Sequence, residues 1–260
     1  MHHTKQTRNP IKNTLLTWLD EARPIQSQST NDEVIHQLRV CMKRQQAALA
    51  LHRHDLSVHS QKTKKLQKNC RELANALAQS RDTAVMLALL TQLNQITPSV
   101  SFKSLTQHLN PTKSSPCNWE QINKKWNAIK KGIHHLTWPE QTTLENTHQL
   151  LRKTYPKLKR QSLKAIESSK PETLHTCRKQ IKQWCYQREL IHKQGQKDQQ
   201  FKQLGHYLGA IHDIDMLRMY FLPQNNIQIS DRIWLEQTTQ QLRQKYLKQC
   251  QSLLQKKQTV

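Results

Sequence analysis

Apolar residues recur at intervals of three and four along most of this chain, which is the spacing of one face of an α-helix. Glycine is scarce, with 4 residues in 260, so glycine-rich phosphate loops, tight hairpins and most α/β folds are disfavoured. No segment shows the strict alternation of a half-buried strand. The sequence therefore predicts an all-α protein. The predicted helical segments are 11–21, 31–54, 60–79, 82–95, 119–135, 140–155, 171–194, 198–210, 213–221 and 230–257.

Proline residues divide these segments. A central region with little periodicity contains Pro98, Pro111 and Pro116. Because proline cannot donate a backbone hydrogen bond inside a helix, we predict helix boundaries at the later prolines. These are Pro139, Pro156, Pro171 and Pro223.

The chain is strongly basic. It carries 41 Lys and Arg against 18 Asp and Glu, a formal net charge of +23. Such a charge attracts anionic partners in a salt-dependent manner. Charge alone does not choose among nucleic acid, an anionic membrane, polyphosphate and an acidic protein.

One motif occurs twice. Residues 33–43 read EVIHQLRVCMK and residues 172–182 read ETLHTCRKQIK. Both fit the pattern E-x-x-H-x-x-R-x-x-x-K. Each Glu follows a candidate capping residue, Thr30 or Ser169, by three positions, which is typical of a helix N-terminus.

A second, weaker match follows each motif. Residues 77–87 read LAQSRDTAVML and residues 208–217 read LGAIHDIDML. We interpret Asp82 and Asp213 as N-caps of the next helix. The ordered pair of matches predicts a tandem duplication whose halves meet within 96–140.

The repeated motif places cations on one helix face. At 100° per residue, His36, Arg39 and Lys43 lie within about 60° of one another, and the apolar stripe of Leu38, Met42 and Leu49 points elsewhere. His175, Arg178 and Lys182 form the matching face, with Cys177, Ile181 and Trp184 on another and Tyr186 near the basic one. Arg offers a planar fork for two oxygens, Lys a mobile charge, and His a further donor, so this face suits a phosphate chain.

These residues resemble the CHAD family, the conserved-histidine α-helical domain, over roughly 30–222. The resemblance rests on H-x-x-R-x-x-x-(K/R) followed by a turn similar to L-G-x-x-R-D. In this sequence the matching positions are His36, Arg39, Lys43, Arg44 and Arg81-Asp82, and then His175, Arg178, Lys182 and Gly209 through His212-Asp213. Ala78, Gln45, Gln46 and His212 depart from the residues that are usual in the family.

The resemblance implies two pseudo-symmetric helical bundles that bind inorganic polyphosphate in a basic groove or central cavity. It also implies, for some members, a location on polyphosphate granules. We expect an N-terminal segment over 1–27 with a short helix, and a CHAD-like domain over 28–260 with bundles at about 28–115 and 116–260. The predicted polyphosphate-binding residues are His36, Arg39, Lys43, Arg44, Lys62, Lys65, Lys68, Arg71, Arg81, His175, Arg178, Lys179, Lys182, Tyr186 and Lys202.

Three other functions stay open on the sequence alone. A nucleic-acid-binding module suits the charge, but aromatic residues are only 5% and no zinc-finger, basic-zipper or RRM motif occurs. A metal site or phosphate-processing enzyme is disfavoured because no metal-ligand spacing occurs, so we expect no catalytic residue, cofactor or metal. A membrane-surface or acidic-protein adaptor is the third.

The compartment is predicted from what the N-terminus and the cysteines show. The sequence MHHTKQTRNP carries charge without an apolar segment, so we expect no signal peptide, no transmembrane segment and a cytoplasmic location. The six cysteines include no CxxC pair and are expected to be buried reduced thiols. Oligomeric state is left open.

Overall fold

The computed structural model describes residues 9–24, 32–53, 56, 60–96, 98, 101–109, 118–140, 142–191, 196–224 and 227–255, without the side chains of 32, 60, 79–84, 101–104 and 196–197. Within these residues all regular structure is α-helical, which confirms the predicted all-α class. The helices are α1 (Pro10–Glu21), α2 (Asp32–Leu51), α3 (Ser60–Ala76), α4 (Gln79–Ile96), α5 (Ser101–His108), α6 (Trp119–His134), α7 (Leu144–Ser168), α8 (Pro171–Glu189), α9 (Gln196–Phe221) and α10 (Ile229–Gln255).

The chain forms two compact units, each drawn from three stretches of sequence. Unit 1 comprises Met1–Arg81, Pro116–Thr154 and Gln183–Gln194, and unit 2 comprises Asp82–Ser115, Tyr155–Lys182 and Gly195–Val260. Each unit therefore takes residues from both predicted halves, 28–115 and 116–260. The predicted duplication and its bundle boundaries stay predictions.

Unit 1 has a core built from α1, α2, α3 and α6. α1 begins where the side chain of Asn9 accepts hydrogen bonds from the backbone N–H groups of Ile11 and Lys12, with Pro10 in the first turn. The buried Gln45 donates to the carbonyl oxygen of Leu15 at 2.8 Å, which joins α2 to α1. The predicted apolar stripe of α2, Leu38, Met42 and Leu49, lies in this core. Leu66 and Leu73 of α3 and Leu77 just after it join the same core.

Unit 2 is organised around the long helices α9 and α10, which pack along each other. Its apolar core takes residues from α4, α5, α9 and α10, including Leu90, Leu105, Leu217, Phe221 and Leu235. The last predicted helix, 230–257, corresponds to α10, whose Leu235 and Leu242 help to form this core.

Several predicted boundaries are wrong. Pro156 lies inside α7, one residue after the start of the unit 2 stretch Tyr155–Lys182. Asp213 lies in the middle of α9, which runs without a break through the predicted segments 198–210 and 213–221. Asp82 likewise lies inside α4. Ser169 is not an N-cap: it ends α7 with a left-handed φ of 52°, and its hydroxyl donates to Ile166. Thr30 lies outside the described residues.

Candidate functional site

The first copy of the motif lies on α2 in unit 1. His36, Arg39 and Lys43 are each half-buried, beside the buried stripe of the same helix. Nδ1 of His36 and Nε of Arg39 are buried and make no hydrogen bond to any residue that the structure describes. A buried polar group without a partner costs about 1–3 kcal/mol, so two such groups one helical turn apart need an explanation.

The second copy repeats this arrangement on α8 in unit 2. His175, Arg178 and Lys182 are half-buried, and Lys179 is exposed. Nδ1 of His175 is buried with no hydrogen-bond partner among the described residues, and Nε of Arg178 is buried as well. Elsewhere buried polar atoms lack partners at scattered positions, such as Oε1 of Gln45 and Nε1 of Trp138. Only at the motif does the same His–Arg pair recur among the described residues, and an anion would supply acceptors to Nδ1 of both histidines and to Nε of Arg39.

The side chain of Arg178, on α8, lies next to Gly209 of α9. A Cβ atom built on Gly209 would stand 3.6 Å from Nε of Arg178 and 4.0 Å from its Nη2. The guanidinium of Arg178 therefore lies against α9 at residue 209, with room for a Cβ atom at ordinary contact distance. His212, one turn further along α9, stacks on His175 with ring centroids 4.4 Å apart and an interplanar angle of 33°.

The two stacked imidazoles are held neutral. Burial, followed by the charges of Arg178, His175, Lys179 and Lys182, lowers the pKa of His212 to about 4. Burial and the neighbouring Lys179 and Arg178 also lower the pKa of His175. Both effects disfavour the cationic form. Without an anion nearby, this part of the site therefore carries its positive charge on Arg and Lys alone.

Arg44 is engaged within unit 1. Its Nε lies 2.6 Å from Oε2 of Glu189, and its Cζ lies 5.4 Å from the centroid of the Trp18 ring. This pairing joins α2, α8 and α1 at partly buried positions. Contact between Arg44 and polyphosphate stays a prediction, and the ion pair gives this residue a structural role that the sequence did not reveal.

The predicted cations of α3 are more loosely held. α3 packs against α2, and Lys62, Lys65, Lys68 and Arg71 are all exposed. Lys68 lies 3.9 Å from Glu72, an exposed i,i+4 pair that contributes little to stability. These residues can follow a flexible anion without losing buried contacts.

The remaining predicted residues lie on α8, α9 and α4. Tyr186 is half-buried on α8 in unit 1, and Lys202 is half-buried near the start of α9 in unit 2. Arg81 belongs to α4, but its side chain lies outside the described residues. His212 was noted in the sequence only as a departure before Asp213, and its stacking on His175 was not predicted.

Other kinds of site find no support in the described part of the chain. No group of three or more His, Cys, Asp and Glu side chains there could hold a metal ion. No helix in those residues is long and apolar enough to cross a membrane.

Cys41, Cys70, Cys177 and Cys250 are buried free thiols, as predicted, and Cys185 is half-buried. Burial raises the pKa of Cys70 to about 12, while Cys117 lies outside the described residues.

A sequence model of the CHAD domain matches residues 11–223, which include both copies of the motif. The chain belongs to the CHAD family. The CHAD family is linked to polyphosphate binding. The fold is similar to that of PptA from Streptomyces chartreusis, with a TM-score of 0.71, 14% sequence identity, and coverage of 95% of this chain and 96% of that one. No curated protein matches the chain in sequence. The whole of α10 lies beyond the matched CHAD region.

Proposed function

We propose that this CHAD domain binds inorganic polyphosphate, without catalysis, through the basic faces of α2 and α8. One observation carries the proposal: the H-x-x-R pair occurs twice, with the His Nδ1 and Arg Nε atoms buried beside lysines in both copies. A linear anion with many equivalent oxygens can serve both copies. Membership of a polyphosphate-linked family and the net charge of +23 support the same ligand.

The proposed contacts divide by chemistry. Arg39 and Arg178 bind two phosphoryl oxygens each, because the guanidinium fork matches that geometry. Lys43, Lys182 and the exposed cations of α3 add charge without fixed orientation. His36 and His175 donate from their imidazole rings.

The test is a titration with long-chain polyphosphate at about physiological salt, with double-stranded DNA as competitor. Polyphosphate should bind in the presence of excess DNA. The Arg39→Ala/Arg178→Ala variant should bind at least about thirtyfold more weakly, since each of its two lost charge-assisted bonds contributes about 1–3 kcal/mol. The matched control is Arg152→Ala/Arg160→Ala, which removes the same charge from exposed positions on α7. The control should retain most of the affinity.

Two results would contradict the proposal. An equal loss in both double variants would make binding a general effect of charge. Equal competition by DNA would favour the nucleic-acid alternative, whose affinity also comes largely from phosphate contacts.

Catalysis and location are tested separately. Incubation with polyphosphate and Mg²⁺ should release no inorganic phosphate, and steady release would contradict the non-catalytic proposal. We also infer a cytoplasmic location on polyphosphate granules. A fluorescent fusion should then coincide with a polyphosphate stain, and the Arg39→Ala/Arg178→Ala fusion should be diffuse.

A further inference from the structure

The contact between α8 and α9 in unit 2 brings two histidines together beside the proposed site. His175 and His212 are both half-buried, and their rings stack at 4.4 Å. One turn along each helix, Arg178 of α8 lies against Gly209 of α9. Since residues three apart share a helix face, the imidazole pair and the guanidinium form one continuous surface.

The charges that face His212 are almost all positive. From α8 these groups are His175, Arg178, Lys179 and Lys182. On α10, Arg243 is bound to Asp215, which lies one turn further along α9 than His212. The acidic residues closest in sequence are Asp213 and Asp215 on α9, while on α8 the exposed Glu172 precedes His175 by three positions. Because cations predominate around His212, they disfavour its protonated form until an anion binds.

We propose that His212 is a further polyphosphate-binding residue, and that binding of the anion adds a proton from solvent to the His175–His212 pair. The inference rests on the proposed function and extends it. In the free protein the neighbouring cations and burial oppose an imidazolium. Phosphoryl oxygens placed on the same surface offset those cations and accept hydrogen bonds from the charged ring, so the cationic form becomes favourable.

The consequence is a pH-dependent affinity. Because burial and the neighbouring cations disfavour the cationic form of the free pair and the bound pair carries a proton, binding is accompanied by proton uptake and strengthens as the pH falls from about 7.5 to 5.5. Each proton taken up changes the binding constant by about tenfold per pH unit where uptake is complete. Partial uptake gives an overall gain of about tenfold across this window.

The experiment is isothermal titration calorimetry of the full chain with long-chain polyphosphate at pH 6, in two buffers of different ionisation enthalpy. The difference between the measured heats gives the number of protons taken up. The wild type should take up a substantial fraction of a proton. His212→Gln should lose most of this uptake and most of the affinity gain at low pH.

Two further variants make the result specific. His206→Gln removes an exposed histidine from the same helix and should leave proton uptake unchanged. His212→Arg carries a fixed charge and should bind at pH 7.5 at least as tightly as the wild type, without the uptake at this position. Circular dichroism and thermal unfolding without ligand establish that each variant is folded.

The outcomes separate the two proposals. If His212→Gln keeps the proton uptake and pH dependence of the wild type, while polyphosphate still binds, the role of His212 is wrong and the proposed function stands. The same conclusion follows if His206→Gln and His212→Gln lose uptake equally. If the wild type binds no polyphosphate anywhere between pH 5.5 and 7.5, the proposed function fails and this inference fails with it.

Discussion

Arg243 of α10 donates from Nε to Oδ1 of Asp215 on α9 at 3.0 Å, and both side chains are only 14% exposed. The same guanidinium donates from Nη2 to the carbonyl oxygen of Ser169 at 2.7 Å. Ser169 is the left-handed residue between α7 and α8. One side chain therefore joins the start of the motif-bearing helix α8 to the helix that carries His212.

Arg243→Gln should lower the free energy of unfolding by about 2 kcal/mol, because it leaves a largely buried Asp215 and a carbonyl group without their charged donor. Urea unfolding measures this. The matched control is Arg218→Gln, since Arg218 lies 3.5 Å from Glu236 in the same helix pair but that carboxylate is 60% exposed. The control should cost less than about 1 kcal/mol, and equal losses would refute the special role of Arg243.

Arg44→Gln should reduce stability more than it reduces polyphosphate affinity. The substitution leaves the carboxylate of Glu189 without its partner and removes the contact with Trp18, at a cost of about 1–2 kcal/mol. Arg39→Gln should show the reverse pattern. Parallel thermal unfolding and binding titrations compare the two variants; a larger affinity loss in Arg44→Gln would restore Arg44 as a principal contact.

Two glycine substitutions should have opposite effects. A Cβ atom at Gly132 of α6 would lie 2.3 Å from Cδ2 of the buried Leu66, so Gly132→Ala should destabilise unit 1 by about 1 kcal/mol despite the better helix propensity of alanine. At Gly209 the nearest atom of Arg178 is at an ordinary contact distance, 3.6 Å. Gly209→Ala should therefore be neutral or raise stability by up to about 1 kcal/mol. Differential scanning calorimetry compares the unfolding temperatures of both variants with that of the wild type. A Gly132→Ala protein more stable than the wild type would contradict the predicted clash.

Without ligand, the free energy of unfolding should fall as the pH is lowered through the range in which His212 takes up a proton. Its pKa is about 4 in the folded protein and about 6.5 in an unfolded chain. Between these values the unfolded state binds the extra proton, so the free energy of unfolding rises with pH and its His212 contribution is lost as the pH falls from 6.5 toward 4. His212→Gln should flatten the slope of thermal midpoint against pH in this range, whereas His206→Gln should leave it steep.

The sequence predicted the helices whose apolar stripes are regular. The stripe through Leu38, Met42 and Leu49 placed α2 correctly to within a few residues, and the Cys177–Ile181–Trp184 stripe placed the buried face of α8. These predictions succeed because a helix that buries one face needs apolar residues every three or four positions, and this spacing is visible in the sequence.

Local signals failed where tertiary packing was stronger. Asp213 has a high preference for helix N-caps, yet Ile211, Ile214 and Leu217 are buried and hold α9 continuous through it. Pro156 removes one backbone donor inside α7 without ending the helix. α5 lies in a stretch whose short periodicity was too weak to predict it.

The site was predicted as a set of helix faces rather than as pairs of residues. The H-x-x-R spacing gave His175 and Arg178, because both lie on one helix. The partner of Arg44, by contrast, is Glu189, 145 residues away, and the His175–His212 stack depends on how α9 packs on α8. No single-helix argument contains that information.

The interleaving of the two units also has a consequence for synthesis on the ribosome. Unit 1 needs the stretch Gln183–Gln194, and by the time it has been made, the stretches Asp82–Ser115 and Tyr155–Lys182 of unit 2 already exist. The nascent chain therefore cannot complete its first unit before two of the three stretches of the second have been made. The histidine motif on α2 waits in an incomplete unit until Gln183–Gln194 has been translated, and the motif on α8 waits for Gly195–Val260.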